Sequence, residues 1–379
     1  MNVPKLRFKE FSDEWKKAKL SSFVNINPKN NSLPDKFIYI DLESVNNGLL
    51  TSRKIVNKSE APSRAQRTII KNDILYQTVR PYQMNNLFIN SLDSDYPYIA
   101  STGYALLRTK ENPYFVYSIL YQKTFVNKVL DMCTGTSYPA ISANDLGTIS
   151  ICLPSIKEQE KIGKTLSLLD KKIELQTKKI EDLKLFKLYT KNQIFKDYDE
   201  IFKLKDILVK WNKKNKNKSV KYVESISNKY GFISQSDQFE DRNVASKDLN
   251  NYYIIEKGVF GYNPSRLNVG SLALKTNDKV SVVSPLYECF TTSQNNQYLL
   301  EWFDSKYFRK ETISKFEGGV RNTLNFSDLC EIEIGLPTIE KQNKYSKIFK
   351  TFNNKIEFEV KKLYKLHELK KGLMQSMFV

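Results

Sequence analysis

Histidine is almost missing from this chain: His367 is the only one among 379 residues. That excludes Ser-His-Asp and Cys-His catalysis and a histidine-based zinc site, since each needs imidazoles to move a proton or hold the metal. The four cysteines, Cys133, Cys152, Cys289 and Cys330, are scattered and form no C-x-x-C pair. They are expected as free thiols in a reducing cytosol, not as a metal site or a disulfide frame. No charge-free run of about 18 apolar residues is available to cross a bilayer. Met1 to Lys17 mixes lysine with acids and has no apolar centre, unlike a signal peptide. No G-x-x-x-x-G-K-[ST] loop is present to cradle nucleotide phosphates. A cytoplasmic chain without membrane contact, metal or catalytic residues is the expectation.

Positive charge is plentiful. Sixty Lys plus Arg stand against 42 Asp plus Glu, for a net charge of +18. Such an excess favours phosphate backbones or acidic surfaces, although solvated lysine-rich helix faces give the same sum. Apolar residues make up 40% and aromatics 12%, enough for real cores. The length suggests two or three domains.

The chain is written twice. At an offset of 183 positions, Leu146 to Phe195 lies on Leu329 to Phe378 without a gap. Leu153-Pro154 meets Leu336-Pro337, Gln159 meets Gln342, and Lys172-Ile173-Glu174 meets Lys355-Ile356-Glu357. Upstream, Gly135 falls on Gly318, Asp145 on Asp328, Tyr104 on Tyr287 and Tyr39 on Tyr222. Each half is a variable region of about 150 residues followed by a better-kept tail of about 40.

The tails read as long helices. Leu166, Leu169, Ile173, Gln176, Ile180, Leu183 and Lys187 alternate spacings of three and four, and Phe349, Phe352, Ile356, Glu359, Leu363, Leu366 and Lys370 repeat the frame. That is a heptad seam, with a polar residue at the same slot in both copies. Two matched stripes in one chain predict an antiparallel internal pair, each helix spanning roughly 60 Å; pairing between two chains is the other possibility. The variable regions read as strand-rich: Phe37–Ile40, Thr68–Ile70, Asp73–Tyr76, Tyr98–Ala100, Tyr104–Leu107 and Gly147–Leu153, then Tyr252–Ile255, Val259–Tyr262, Lys279–Val283, Tyr287–Phe290 and Glu331–Leu336. Tyr114–Leu130 and Asn296–Phe316 read as helices. The predicted class is α+β with a pseudo-two-fold repeat: domains over 1–153 and 197–336, helices over 154–196 and 337–379.

A duplicated chain of this kind resembles the specificity subunits of type I restriction–modification systems, along its whole length. Leu153-Pro154-Ser155-Ile156-Lys157-Glu158-Gln159 through Ile162 is similar to the family's LPxxxEQ..I entry to a helix. Leu336-Pro337-Thr338-Ile339-Glu340-Lys341-Gln342 is a looser copy, with Lys341 where an acid usually stands. Trp15 to Leu20 resembles the opening of a first target-recognition domain, and Arg266 to Leu272 with Ser284 to Tyr287 a run common in such domains. The resemblance implies sequence-specific recognition of double-stranded DNA, one domain per half of a split target. It further implies that the helices space the domains and dock two adenine methyltransferase subunits through the seam positions Leu166, Leu169, Ile173, Ile180, Leu183, Phe349, Phe352, Ile356, Leu363 and Leu366. S-adenosylmethionine, ATP and Mg would belong to those subunits and to separate restriction–translocase subunits, with no cofactor on this chain.

Base readout needs forked donors and acceptors. In the first half the candidate DNA contacts are Gln77, Arg80, Asn85, Asn86 and the 134–138 loop with Ser137 and Tyr138; Arg53, Lys54, Arg64 and Arg67 are candidate phosphate holders. In the second half they are Asn263, Arg266, Asn268, Arg321, Asn322 and Thr323, with Lys214 in a lysine-rich loop that is either phosphate-contacting or merely solvated. Asn263-Pro264-Ser265-Arg266 is similar to an adenine methyltransferase motif but lacks its second proline and aromatic, so it reads as a turn. Glu359-Val360-Lys361, a fragment of a nuclease motif, reads as surface charge. Three other functions stay open at this point: the specificity part of another bipartite restriction system, separable by its neighbouring methyltransferase gene; a non-DNA scaffold, excluded by salt-sensitive DNA binding; and an RNA binder using aromatic platforms, tested by single-stranded RNA competition.

Overall fold

The structure is a computed structural model that describes residues 3–29, 32–228, 230–235, 248–316 and 323–379, leaving out the side chains of 268–269 and 314–316. The chain divides into two compact units, Met1–Thr177 with Lys361–Val379, and Lys178–Val360. The fold is mixed α+β with the predicted internal repeat. The long helices run over Ile156–Ile194 and Ile339–Ser376, just past the predicted starts, but the compact units divide within these helices and not at their ends.

In the first unit, Lys16–Lys19 pairs antiparallel with Ser150–Leu153. One four-stranded sheet has the order Lys54–Asn57, Lys36–Ile40, Tyr98–Ser101, Ala65–Thr68, with the middle pair parallel. A second, antiparallel, has the order Val24–Ile26, Tyr104–Thr109, Ile74–Gln77, Leu87–Phe88. Strand alternation explains why whole runs are apolar here. Ile74, Tyr76, Ala105 and Leu107 face the helices Pro113–Ile119 and Lys123–Asp131, whereas Leu75, Tyr104 and Leu106 face the first sheet with Ile38 and Ile40. Both faces are dry, and each buried leucine or isoleucine there contributes about 1.5–3 kcal/mol.

The second unit repeats this plan. Glu200–Lys203 pairs with Glu333–Leu336, and a sheet runs in the order Leu208–Lys210, Glu288–Thr292, Phe260–Tyr262, Leu272–Leu274. Among the described residues its other sheet comprises two antiparallel pairs, Glu224–Ser227 with Gly231–Ser234 and Tyr253–Ile255 with Ser281–Val283, and the parallel pairing of the first unit is matched by one bridge, Val223 to Val282. Lys275, wholly buried, pairs there with Glu224, which also accepts from the Ser281 hydroxyl at 2.5 Å.

Several predicted elements need correction. Tyr114–Leu130 is two helices, as is Asn296–Phe316, now Asn296–Phe303 and Lys306–Phe316. In the second pair the Ser305 hydroxyl accepts from the Phe308 N–H at 3.3 Å and starts a new helix. Gly147 and Thr148 belong to a short helix, Ala143–Thr148, capped by Ser142, so the strand begins at Ser150. The strand predicted at Thr68–Ile70 runs instead over Ala65–Thr68.

The glutamine of the Leu-Pro motif has a structural task in both copies. Gln159 is buried; its Nε2 donates to the Pro154 carbonyl at 3.1 Å and to Glu111 at 2.7 Å, and its Oε1 accepts from the Asn112 N–H at 3.3 Å. Gln342, also buried, donates to the Pro337 carbonyl at 2.9 Å and Gln294 at 2.8 Å, and accepts from Asn295 at 3.1 Å. Asn112 and Asn295 are themselves N-caps, accepting from Phe115 and Tyr298 at 2.9 Å. Each glutamine thus clips the start of a long helix to the start of a domain helix.

Every seam position is buried or half-buried. In the second unit Lys179 meets Glu359 at 2.7 Å, while further along the rings of Phe186 and Phe352 lie 5.4 Å apart and Lys187 donates to Asn353 at 2.8 Å; moving forward from Lys179 to Lys187 on one helix moves back from Glu359 to Asn353 on the other, so the helices are antiparallel. In the first unit Lys370 meets Asp170 at 2.6 Å. The seam side chains are thus covered within the chain, Leu166 and Phe349 among the domain cores. Glu359 is a buried partner of Lys179 and Lys355, not surface charge. Beyond the seam, Phe378 stacks on Phe115 at 5.4 Å and meets Trp15 edge-on in the first unit; Phe195 meets Tyr298 at 5.4 Å and Phe349 at 5.8 Å in the second.

Candidate nucleic-acid interface

The same pair of loops recurs in each domain. After Ile74–Gln77 and after Phe260–Tyr262 the chain enters a short 3₁₀ turn opened by proline, Pro81–Gln83 and Pro264–Val269. The prolines sit at the repeat offset, and proline suits this position because its φ is preset and its missing N–H is not needed. A second loop packs against the first: the Ile141 N–H donates to the Thr78 carbonyl at 3.1 Å, and the Leu324 N–H to the Pro264 carbonyl at 3.1 Å. Ile141 and Leu324 are buried and anchor the loops.

In the first domain these loops bring Arg80 and Tyr138 together. The Arg80 guanidinium lies 4.2 Å from the centroid of the Tyr138 ring. Gln77 and Asn86, both predicted base readers, are turned inward. Gln77 Nε2 donates to Val79 O and Gln83 Oε1, each at 2.8 Å, its Oε1 accepts from the Asn85 N–H at 3.0 Å, and Asn86 Oδ1 accepts from the Gln77 N–H at 2.8 Å. They shape the loop, and no free fork remains to read a base. Asn85 is half-buried, and its Oδ1 accepts from the Asn47 N–H at 3.1 Å. Asn47 and Gly48, both at positive φ, turn a hairpin between Val45–Asn46 and Leu49–Leu50. An Asn-Gly pair signals such a turn, so this neighbour of the loop was readable from the sequence. Ser137 is exposed.

The four predicted phosphate holders divide. Arg53 is paired with Asp93 at 3.0 Å, which raises its pKa, and Lys54 with Asp41 at 3.4 Å. Both pairs are solvated and easily exchanged for phosphate. Arg64 is exposed and meets no carboxylate among the described residues. Arg67 is half-buried; its Nε has no acceptor among the described residues, and burial lowers its pKa.

In the second domain Asn263 is the cap the turn requires, its Oδ1 accepting from the Ser265 N–H at 3.0 Å. Arg266 is exposed and Thr323 half-buried. Arg321 and Asn322 lie outside the described residues, as does the side chain of Asn268. The lysine run is a built loop: Asn215 is buried and holds Val220 through both its side-chain atoms, Lys213 pairs with Glu256 and Lys218 with Asp248 at 3.3 Å, and Lys214 stays exposed.

This geometry offers hydrogen-bond donors and acceptors. Among the described residues no His/Cys/Asp/Glu cluster has metal-ligating geometry. Burial pushes the Cys289 thiol up to about 12, away from nucleophilic use. No helix of the described residues is long and apolar enough to cross a membrane.

Comparison with known proteins gives consistent matches. Residues 12–185 and 196–368 match the family described as type I restriction modification DNA specificity domain. The chain is 28% identical over 170 residues to the type I restriction enzyme HindI specificity subunit of Haemophilus influenzae, covering 43% of this chain and 36% of that one. It is 24% identical over 300 residues to the MjaVIII specificity subunit of Methanocaldococcus jannaschii, covering 70% and 68%. The chain thus spans about a third of the first relative and two thirds of the second. In fold it is similar to the type I restriction–modification S subunit from M. genitalium, with a TM-score of 0.62 at 15% identity over 100% of this chain and 99% of that one. It is likewise similar to a chain of a type I R-M system complex, with a TM-score of 0.55 at 19% identity over 96% and 97%.

Proposed function

The chain belongs to the type I restriction modification DNA specificity family, and from that membership we propose that it reads a split double-stranded DNA target, one domain to each half-site. Recognition of a DNA target within a larger assembly is the family's role. The observation that carries the finer reading is the recurrence of one proline-opened turn with its partner loop in both domains, bearing different polar residues: Arg80 stands where the second domain has Asn263. A constant frame with variable polar tips suits two readers of unlike sequence. Exposed Arg64 and Lys214 supply phosphate contacts, and the net charge of +18 strengthens binding without specifying sequence.

Two methyltransferase subunits dock, in this reading, on outward helix faces. Leu168, Leu175, Leu185, Tyr189, Phe358 and Tyr364 are each more than half exposed there. S-adenosylmethionine belongs to those subunits, ATP and Mg to restriction subunits that join through the complex, and the assembly works in the cytoplasm. The test is adenine-methylation mapping in a genome carrying this chain and its methyltransferase. A split, asymmetric motif is expected, and replacing residues 1–153 with the matching region of a relative changes one half only. A continuous motif, or a change in both halves, sinks the reading.

A further inference from the structure

We propose that Arg80 reads a guanine in the half-site bound by the first domain, and that Tyr138 is the residue that positions it. This rests on the recognition reading above and adds a base identity and a geometry to it.

Arg80 is held at both ends. Its backbone is left-handed, with φ 55° and ψ 54°, a region that non-glycine residues leave unless the surroundings fix them. The Arg80 N–H donates to the Pro139 carbonyl at 2.7 Å, its own carbonyl accepts from Gln83 at 3.0 Å, and Val79 bridges to Ala140 just before it. Pro81 follows directly. The side chain then lies on the Tyr138 ring, which is itself 65% exposed and so is not held there by a core. The Arg80 Nε is out of solvent contact and has no acceptor among the described residues.

Other arginines of this domain are spent differently. Arg7 is paired with Glu158, Arg108 with Asp73, and Arg53 with Asp93. Arg80 makes no ion pair among the described residues. The neighbouring amides are also committed: Gln77 to Val79 and Gln83, Asn85 to Asn47. What remains at this corner is a guanidinium on a fixed backbone, over an aromatic ring and without an ion pair among the described residues.

That arrangement suits one ligand. A phosphate is reached from many angles and gains little from a pre-oriented fork, whereas the O6 and N7 of guanine present two acceptors in one plane on one edge. Contact with the Tyr138 ring restricts the rotamer freedom that the base contact would otherwise cost. Adenine offers a donor beside N7 and would leave one Nη group facing another N–H. In the second domain Asn263 occupies this position with its oxygen already capping Ser265, so the two half-sites are read by different chemistry.

The experiment uses the complex of this chain with its methyltransferase subunits and duplexes of the mapped target. Exchange of residues 1–153 first assigns the half-site. A guanine is expected there at which 7-deazaguanine, which lacks N7, weakens wild-type binding roughly 10- to 100-fold. Inosine at the same place keeps O6 and N7 and should bind as guanine does. Arg80→Lys keeps the charge and loses the fork; it should lose the same factor on natural target, little on random DNA, and be indifferent to 7-deazaguanine. Tyr138→Phe should behave as wild type and Tyr138→Ala should lose discrimination at that base alone. A first half-site without guanine, or an Arg80→Lys loss equal on target and random DNA, overturns the assignment and leaves the two-reader model standing. Failure of Tyr138→Phe to match wild type overturns the positioning role. Absence of any split motif sinks the recognition reading itself, and the inference with it.

Discussion

The two units solve one packing problem with opposite chemistry. At the repeat offset, Ser118, Tyr121 and Met374 of the first unit correspond to Glu301, Asp304 and Lys191 of the second. In the second unit Lys191 is almost fully buried, 3.1 Å from Glu301 and 2.8 Å from Asp304, while Lys187 and Asn353 reach Glu301 at 2.9 and 3.0 Å. In the first unit the Ser118 hydroxyl turns back to the Tyr114 carbonyl at 2.8 Å, Tyr121 meets Tyr117 at 3.0 Å and the Asn86 carbonyl at 3.1 Å, and Met374 meets Gln122 at 4.0 Å. Burial raises the Glu301 carboxyl, but Lys191, Lys187 and Asn353 outweigh it and hold the group below its ordinary range. Burial moves the tyrosines the other way, Tyr121 to about 12. The backbone plan comes from what both halves share: the glutamine clip, the seam and the aromatic at each helix end. The filler diverges freely if its groups satisfy one another.

The largest effect expected from this contrast is a single substitution on the charged side. Glu301→Ser leaves Lys191 buried with only half its partners and should cost about 3 kcal/mol, since breaking a buried pair exposes the price of burying a charge. Hydrogen exchange should speed across Asn296–Phe303 and not across Pro113–Ile119. Adding Lys191→Met copies the first unit's chemistry and should restore most of the loss. If the double variant is as unstable as the single one, the two fillers are not interchangeable. Acid gives a second reading of the same network. Because the folded carboxyl titrates below 4.5, its contribution is complete above that value and fades as pH falls through the lowered pKa. The gap between wild type and Glu301→Ser in urea denaturation should therefore narrow in acid.

A smaller effect, and an equal one in both halves, is expected from the clip. Gln159→Ala and Gln342→Ala each strip buried hydrogen bonds from a proline carbonyl and a cap N–H, at roughly 1–3 kcal/mol. Denaturation midpoints shifted alike would confirm the shared frame; a loss in one unit alone would break the symmetry. The smallest effect belongs to the surface. Arg64→Ala and Lys214→Ala should each weaken DNA binding uniformly across sequences and lower the salt slope by about 1. Base-dependent losses would move either residue from phosphate holder to reader.

What the sequence revealed follows from how far each signal reaches. The repeat, the seam and the Asn263 turn are patterns of order and spacing visible along the chain, and the structure contains all three. Lys16–Lys19 was missed as a strand because an edge strand facing water carries no apolar alternation. Gln77 and Asn86 carry forked amides that suit base readout, but composition does not say which amide folds back on its own loop. The Lys191–Glu301 network joins residues more than a hundred positions apart, and the stacking of Arg80 on Tyr138 joins two loops, so neither leaves a mark on spacing. The helix break before Lys123 passed unseen because the apolar pattern continues across it.

The placement of Phe378 has a consequence for biosynthesis. The first unit's core, with Trp15, Phe115 and Ile162, is completed by Met377 and Phe378. A ribosome emits the first domain early and the covering side chains about 200 residues after Thr177, a delay of roughly 10–40 s at 5–20 residues per second. Throughout that interval the nascent chain carries an open apolar face that invites chaperones or a neighbouring nascent chain. The second unit, continuous from Lys178 to Val360, faces no such wait. The domain translated first is the one that finishes last.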